Sequence, residues 1–205
     1  MLNDYQLASI NWTKTNGLIP CIIQNIFSSE VLMHGYMNAE ALYQTQKNKK
    51  VTFYSRTKKR LWTKGETSGN FLKVLHVTLD CDQDSILILV NPIGETCHLK
   101  NKSCFQTDKK PYYTNFFELE KILQERRYSN IKRSYTAYLH NQGINRISQK
   151  VGEEAVETVI AAINSDSSTF INESSDLIYH LLVLLHHKNI NFYDLINNLN
   201  FRKNK

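Results

Sequence analysis

The sequence predicts two domains, a small mostly β (α+β) domain followed by an all-α helical bundle. Short β-branched and aromatic runs, separated by polar turns, occupy the first half of the chain. In the second half apolar residues recur at helical spacing, and glycine almost vanishes after Gly143 and Gly152. A polar stretch at 106–114 separates the two patterns. We therefore expect one domain at residues 1–108 and another at 109–205.

The individual elements follow from the same patterns. The strand-like runs of the first domain lie at 18–23, 31–33, 51–54, 74–79 and 86–90. One helix is predicted at 38–47, with Asn38 as its N-cap. The helices of the bundle are predicted around 116–123, 151–163 and 171–185. Asn172 is a candidate N-cap for the last of them.

Charge and hydropathy limit the classes of function. The chain has 205 residues, enough for two small domains with their own cores. Its net charge of +6 is spread over both halves rather than grouped in one basic segment, which disfavours nucleic acid as a partner. We find neither a signal-peptide pattern nor an apolar run long enough to cross a membrane. The expectation is a reduced, cytoplasmic chain with metal-binding thiols.

Cysteine spacing suggests a zinc site in the first domain. Cys81, Cys97 and Cys104 lie near one another in sequence, whereas Cys21 lies far upstream in an apolar run typical of a buried strand. A structural zinc site normally has four protein ligands, and a catalytic one has three with a position left for water. Three neighbouring thiols favour the catalytic type, with ordinary core cysteines as the alternative. His98 is a ligand, an acid–base group or a surface residue.

Aspartates alternate with the first of these cysteines. Asp80, Asp82 and Asp84 flank Cys81, and carboxylates suit magnesium whereas thiolates suit zinc. If this stretch is extended, the two-residue period of a strand places the three carboxylates on one face and Cys81 on the other. One strand end would then serve two different metals.

Five carboxylates stand among apolar residues of the predicted bundle, namely Glu153, Glu154, Glu157, Glu173 and Asp176. Glu154 and Glu157 are three residues apart and share a helix face, and Glu173 and Asp176 repeat that spacing. Two interpretations stay open. Either these residues form a solvated face, or two facing helices present them inward to hold magnesium and, through it, phosphates.

Both halves resemble known enzyme families. The first half resembles phosphoribosyl-AMP cyclohydrolase at 17–20, 31–33, 36–38, 53–56, 61–62, 64–70 (KGETSGN), 79–84, 97–98 and 103–105. The second half is similar to phosphoribosyl-ATP pyrophosphatase, a relative of the MazG-like all-helical nucleotide pyrophosphatases. Its matches lie at 134–136, 146, 149–157 (QKVGEEAVE), 173, 176–177 and 179–185. Together they follow the order of the fused bifunctional enzyme of histidine biosynthesis.

The resemblance implies ligands and substrate contacts. It assigns Zn²⁺ to Cys81, Cys97 and Cys104, with ligands contributed across a homodimer. It assigns Mg²⁺ to two acidic sets, which are Asp80, Asp82 and Asp84 in the first domain and Glu153, Glu154, Glu157, Glu173 and Asp176 in the second. Among them, Glu154 and Glu157 are also candidate catalytic residues. Candidate substrate-binding residues are Arg56, Lys64, Thr67, Ser68, Asn70, Arg146 and Lys150.

The implied function is two successive hydrolyses of small nucleotides. The helical domain would convert phosphoribosyl-ATP to phosphoribosyl-AMP and pyrophosphate. The first domain would then open the adenine ring between N1 and C6 at the zinc site, with His98, or failing that His76, as the candidate acid for N1. Two alternatives stay open. The helical domain is a general nucleoside triphosphate pyrophosphatase, or the chain is a zinc-stabilised RNA-binding module fused to a helical dimerisation domain.

Overall fold

The chain divides into two compact units, a strand-rich one followed by an all-helical one. A computed structural model describes residues 1–109, 111–164 and 166–203. The units are Met1–Phe117 and Glu118–Lys205, here called the β unit and the helical unit. Their order and composition confirm the predicted fold class. The predicted division between residues 108 and 109 lies close to this one and stays a prediction.

The β unit is built on a four-stranded sheet with the strand order β2-β1-β6-β5. Its elements are α1 (Asp4–Ala8), β1 (Ile19–Asn25), β2 (Val31–Met37), α2 (Ala39–Asn48), β3 (Thr52–Ser55), β4 (Arg60–Thr63), β5 (Leu72–Leu79) and β6 (Ile86–Pro92). β1 pairs antiparallel with β2 and parallel with β6, β6 pairs antiparallel with β5, and β3 and β4 form a separate hairpin.

Alternation along β1 explains how the sheet buries its core. Ile19, Cys21 and Ile23 are fully buried, whereas Ile22 between them is exposed. This is the period of two expected of a strand with one covered face. Cys21 is therefore a small core residue, as its apolar setting predicts, and burial raises the pKa of its thiol.

The start of α2 confirms one local prediction of the sequence. Asn38 is the N-cap, and its side chain accepts a hydrogen bond of 2.8 Å from the backbone N–H of Ala41. This bond satisfies one of the backbone donors that the first helical turn leaves unpaired.

The helical unit packs its helices around a small apolar core. Its elements are α3 (Tyr112–Arg126), α4 (Tyr135–Gln142), α5 (Ile144–Asn164), α6 (Ser167–His187) and α7 (Phe192–Lys203), of which α3 begins in the β unit. Leu139, Ile147 and Val183 form the buried centre. Gly143 joins α4 to α5 with a φ of 82°, which glycine adopts far more easily than residues with a Cβ.

Two sequence predictions are wrong at helix boundaries. Asn172 lies inside α6, and the N-cap is Asp166, whose carboxylate accepts from the backbone N–H of Thr169 at 2.8 Å. The apolar pattern begins late because the first turn of α6 is polar. Similarly, α3 begins at Tyr112, within the stretch predicted to be a linker. In the described parts of the chain, no helix combines the length and apolar character that crossing a membrane requires.

Candidate active sites

The aspartate stretch of the β unit is a turn and not an extended strand end. It connects β5 to β6, and the two strands pair as far as Leu79 and Ile86, so the chain must reverse direction between them. Asp80 stabilises the turn, because its Oδ1 accepts hydrogen bonds of 3.0 Å from the backbone N–H groups of Asp84 and Ser85. The expected alternation of carboxylates and Cys81 on opposite strand faces is therefore wrong.

The turn nevertheless brings the three carboxylates together. Asp80, Asp82 and Asp84 each offer an oxygen within 4.8 Å of the others. Lys14 reaches this cluster from the N-terminal segment; its Nζ lies 2.5 Å from Asp82 Oδ2 and also pairs with Asp84. The hydrogen bond from Lys14 lowers the pKa of Asp82, and the two carboxylates raise the pKa of Lys14. The cluster thus binds a cationic group of the same chain, the Lys14 ammonium.

Two of the three predicted zinc ligands line a cavity of the β unit. The cavity has a volume of about 480 Å³ and is lined by Met33, Trp62, Lys64, Gly65, Glu66, Thr67, Ser68, Asn70, Glu95, Thr96, Cys97, His98, Lys100 and Cys104. The Cys97 sulfur accepts from the backbone N–H of Leu99 at 3.5 Å and lies 3.9 Å from His98 Nδ1. Burial, and then the neighbouring Cys97, raise the pKa of Cys104.

The third predicted zinc ligand lies elsewhere in the same chain. Cys81 is exposed on the β5–β6 turn and does not line the cavity that holds Cys97 and Cys104. Among the residues that the structure describes, these three thiols do not form one group of close ligand atoms. A single chain therefore provides two soft ligands at the cavity and one on a separate surface.

Backbone contacts fix the loop that carries Cys104. Its N–H donates to the Leu32 carbonyl at 2.7 Å, and the neighbouring Ser103 hydroxyl donates to the Val31 carbonyl, also at 2.7 Å. Both acceptors belong to β2. The sheet thus holds the thiol at the cavity wall.

A buried lysine, Lys64, lines the same cavity as the two thiols. Lys64 donates from Nζ to the Asn70 carbonyl at 3.0 Å. Burial lowers the pKa of Lys64, while the charges of Cys104 and Cys97 act in the opposite direction. The intervening Gly65 has a φ of 92°, and a Cβ there would meet the Asn70 backbone at 2.6 Å. Glycine at this position therefore permits the tight loop that presents Lys64.

Most predicted substrate contacts of the β unit lie at this cavity. Lys64, Thr67, Ser68, Asn70 and His98 line it. Two predicted residues lie elsewhere. The Arg56 guanidinium lies 3.9 Å from the Tyr36 ring centroid, and neither it nor His76 lines the cavity.

Sequence reasoning missed several lining residues, which are Met33, Trp62, Glu66, Glu95, Thr96 and Lys100. Trp62 and Glu66 lie in stretches that carry the family resemblance, so the sequence contained a signal that could have identified them as lining residues. Thr96 was signalled only by its position beside Cys97. It is 2% exposed, and within the described part of the chain its hydroxyl has no hydrogen-bond partner.

The helical unit brings together three of its five predicted carboxylates. Glu154 and Glu157 on α5 and Glu173 on α6 offer oxygens within 4.8 Å of one another. Glu154 is only 5% exposed. Its Oε1 lies 2.6 Å from Lys150 Nζ and 3.8 Å from His180 Nε2. Carboxylates from two packed helices therefore meet here, with Glu154 buried, Glu173 half-buried and Glu157 exposed.

The other two predicted carboxylates lie outside this group of three. Glu153 pairs with Lys150 at 3.0 Å and with Arg146 at 3.4 Å, and Lys150 lowers the pKa of Glu153. Asp176 is exposed on α6. Its charge acts on His180, whose pKa is lowered, chiefly by burial.

Charge is unevenly compensated within the helical cluster. Lys150 forms ion pairs with Glu153 and Glu154, and these carboxylates raise the pKa of Lys150. Glu157 is less well compensated: the charge of Glu154 first, and then loss of hydration and the charge of Glu173, raise its pKa, although the charge of Lys150 acts in the opposite direction. Three close carboxylates with one lysine leave a net negative site that favours a further cation.

Comparisons with known proteins agree with two catalytic domains in this order. The phosphoribosyl-AMP cyclohydrolase profile matches residues 33–106, and the phosphoribosyl-ATP pyrophosphohydrolase profile matches residues 116–203. The fold and these matches define a bifunctional hydrolase.

The relatives define the family. The chain is 57% identical to the histidine biosynthesis bifunctional protein HisIE of Buchnera aphidicola subsp. Acyrthosiphon pisum (strain APS), over 100% of this chain and 95% of that protein. It is 52% identical to HisIE of Haemophilus influenzae, over 96% of this chain and 93% of the relative. HisIE of Escherichia coli K12 is also 52% identical, over 98% and 99% of the two chains. The chain belongs to this bifunctional HisIE family of histidine biosynthesis.

Proposed function

We propose that the helical carboxylate cluster is the site at which phosphoribosyl-ATP loses pyrophosphate, and that the β-unit cavity is the site at which phosphoribosyl-AMP is opened. The observation that carries the first assignment is the convergence of Glu154, Glu157 and Glu173 from two helices within 4.8 Å. The second rests on the cavity that joins Cys97 and Cys104 to the Lys64–Asn70 loop.

In the helical unit, carboxylates would bind the metal ion and basic side chains would bind the triphosphate. Glu154, Glu157 and Glu173 would hold magnesium, with Glu153 and Asp176 at the edge of the site. The donor set fits this ion, because magnesium prefers carboxylate oxygens. Magnesium, when bound, neutralises phosphate charge and orients the phosphates for hydrolysis. Lys150 and Arg146 meet phosphate oxygens, and Lys150 also pairs with Glu154 at 2.6 Å.

In the β unit, the cavity orients the purine nucleotide. Lys64, Thr67, Ser68 and Asn70 bind its phosphate and ribose groups from one loop. His98, beside Cys97 at the cavity wall, delivers the proton that N1 requires when the N1–C6 bond breaks. Zinc, when bound, supplies a nucleophile at neutral pH because it lowers the pKa of water.

Zinc binding requires two copies of the chain. Cys97 and Cys104 fit the zinc site as neighbouring soft ligands, and Cys81 is exposed on a separate turn. Cys81 of a second copy would complete a set of three thiolates, which is the number of protein ligands typical of a catalytic zinc site. The carboxylates beside Cys81, namely Asp80, Asp82 and Asp84, would hold magnesium at the same interface.

An apolar stripe on α5 supports association of the helical unit with a second copy. Val156, Val159, Ile160 and Ile163 recur at helical spacing and are between 52% and 75% exposed. A stripe of this kind is usually covered by another helix. The four free thiols also support a reducing, cytoplasmic location.

One experiment tests both assignments. Purified protein is given phosphoribosyl-ATP with magnesium and zinc, and pyrophosphate release is followed separately from the ultraviolet change of ring opening. We expect release first and ring opening second. If ATP and other nucleoside triphosphates release pyrophosphate as fast as phosphoribosyl-ATP does, the helical unit is instead a general pyrophosphatase.

A further inference from the structure

Three tyrosines lie together beside the helical carboxylate cluster. Tyr135 is the first residue of α4, its ring centroid lies 6.3 Å from that of Tyr138 and 6.4 Å from that of Tyr179, and the ring planes differ by 21° and 13°. Near-parallel rings at this separation are offset rather than face to face. Parts of their faces therefore stay uncovered. We call this group the tyrosine platform.

The platform is linked to the carboxylates through His180. The His180 ring meets Tyr135 and Tyr179 edge-on, with centroid distances of 5.9 Å and 5.1 Å. The same imidazole lies 3.8 Å from Glu154 through Nε2. Lys150 and Glu154 are both close enough to act on the Tyr135 hydroxyl. A ligand whose phosphates lie at Glu154 can therefore reach the platform with its remaining parts.

Core packing explains only part of the platform. Tyr179 is half-buried and exchanges a hydrogen bond of 2.9 Å with the Thr136 hydroxyl, so it serves the helix contact. Tyr135 and Tyr138, in contrast, are 50% and 42% exposed. An aromatic surface that is ordered by stacking and still exposed is suited to bind a flat ring.

The chemistry of the substrate indicates which ring binds there. Attaching a sugar to N1 of adenine makes the ring system more basic, so that it is protonated and cationic at neutral pH. Adenine in ATP has no such substituent and is neutral. Electron-rich faces of tyrosine attract a flat cation more strongly than a neutral ring of the same shape.

We propose that the tyrosine platform binds the N1-substituted adenine as a cation, and so selects phosphoribosyl-ATP over ATP at the pyrophosphatase site. This inference rests on the proposed function of the helical carboxylates. It assigns substrate selection to Tyr135, Tyr138 and Tyr179, and it leaves phosphate binding to Lys150, Arg146 and the magnesium that the carboxylates would hold.

A matched pair of inhibitors tests the charge preference. AMP and 1-methyl-AMP differ by one methyl group and by the positive charge of the ring. Both are tested as inhibitors of initial pyrophosphate release from phosphoribosyl-ATP by the full-length protein. We expect the wild type to bind 1-methyl-AMP about fivefold to tenfold more tightly than AMP.

Variants then locate the preference. Tyr135→Leu should remove most of it, and Tyr135→Phe should keep it because the ring remains. Tyr138→Leu provides an independent test with a more peripheral platform residue, should Tyr135→Leu fail to fold. Tyr128→Leu is the matched control, since Tyr128 is 82% exposed and stacks with Arg127 instead.

Two failures are distinguishable. A wild type that releases no pyrophosphate from phosphoribosyl-ATP refutes the proposed function, and the platform with it. A wild type that releases pyrophosphate without preferring 1-methyl-AMP refutes the platform alone. The same conclusion follows if the preference survives both Tyr135→Leu and Tyr138→Leu.

Discussion

The two carboxylate clusters of this protein are assembled in opposite ways. In the β unit, three aspartates from one short turn converge because the backbone reverses direction and Asp80 binds the turn's own N–H groups. In the helical unit, Glu154 and Glu157 share one helix face and meet Glu173 from the next helix. The first cluster depends on local backbone geometry, whereas the second depends on the packing of α5 against α6.

Each cluster has a lysine from its own chain, but the compensation differs. Lys14 reaches two of the three aspartates from a distant and exposed segment. Lys150 lies on the same helix as Glu154 and pairs with it at 2.6 Å, whereas neither Glu157 nor Glu173 forms an ion pair with another described residue. The charge of Lys150 only partly offsets the effect of the neighbouring carboxylates on the pKa of Glu157. The comparison indicates that the helical cluster has less of its negative charge compensated than the turn cluster. It also leads us to expect that Lys14 and a metal ion compete for the turn cluster.

The largest effect is expected where the carboxylate is buried and central. We predict that Glu154→Ala lowers pyrophosphate release by at least about a hundredfold, because the proposed metal ligand and the partner of Lys150 are lost together. Added phosphoribosyl-AMP should still be turned over at the wild-type rate. Both reactions are measured on the same preparation, with circular dichroism to verify folding. Loss of both activities in a folded variant would mean one composite site rather than two.

Zinc content separates the cavity thiols from the core thiol. Cys97→Ser should reduce bound zinc from about one ion per chain to near zero and abolish ring opening. Cys21→Ala should retain zinc, because Cys21 is enclosed in the sheet core. Metal analysis after gel filtration provides the measurement. Equal loss of zinc in both variants would indicate a closed four-cysteine site and contradict the open-site mechanism.

Mixing variants tests whether the zinc ligands come from two chains. Cys81→Ser and Cys97→Ser are each inactive in ring opening if the proposal is right. In a mixed dimer, one of the two sites recovers all its ligands. Unfolding and refolding them together at equal amounts should therefore restore about a quarter of the wild-type activity. No recovery in folded mixed dimers would indicate ligands from a single chain.

The sequence predicted elements well where the signal is local. Asn38 as an N-cap and Cys21 as a core residue both follow from their immediate neighbours, and the structure agrees. The helical spacing of Glu154 and Glu157 also predicted a shared face. It did not decide between solvent and an inward site, because that choice depends on what α6 places opposite them.

The failures arise where local patterns fit two structures. Alternating Asp and Cys residues at 80–84 fit a strand as well as a turn, and the pairing of β5 with β6 makes the segment a turn. The contact of Lys14 with this turn spans 68 residues of sequence. No local sequence pattern predicts this contact, since only the folded sheet brings the two segments together.

A moderate effect is expected at the turn cluster, where zinc and magnesium functions should separate. Asp82→Asn should leave zinc content near the wild-type value while ring opening falls, with partial recovery at high magnesium. Asp82 is a cleaner site for this change than Asp80, whose carboxylate also holds the turn. Ring-opening rates across a magnesium titration, with zinc analysis, provide the test. If zinc is lost and the magnesium dependence is unchanged, the aspartates instead support the thiolates.

Lys14→Met is the matched variant at the same turn, and it should change the magnesium affinity in the opposite direction to Asp82→Asn. Removing the ammonium should increase the apparent magnesium affinity about fivefold, which is the size of one exposed charge interaction. Direct magnesium titration by calorimetry measures it without turnover. Unchanged or weaker binding would mean that Lys14 does not compete with the ion.

The smallest expected effect is a change in stability caused by repulsion among the carboxylates of the helical cluster in the absence of metal. Because the charges of Glu154 and Glu173 raise the pKa of Glu157 above its usual value of 4.5, the folded state binds the proton more tightly than the unfolded state. Repulsion at Glu157 is therefore absent below about pH 4.5 and is fully present above the raised pKa. In the presence of a metal chelator, Glu157→Gln should raise the unfolding temperature slightly at pH 7, and this gain should shrink as the pH falls toward 4.5.

Glu125→Gln, on α3 and paired with Lys121 at 3.9 Å, is the control that should show no such gain. With magnesium present, the wild type should have the higher unfolding temperature of the two, since only the wild type keeps all three carboxylates for the ion. A gain in unfolding temperature that is constant with pH would exclude charge repulsion as its cause.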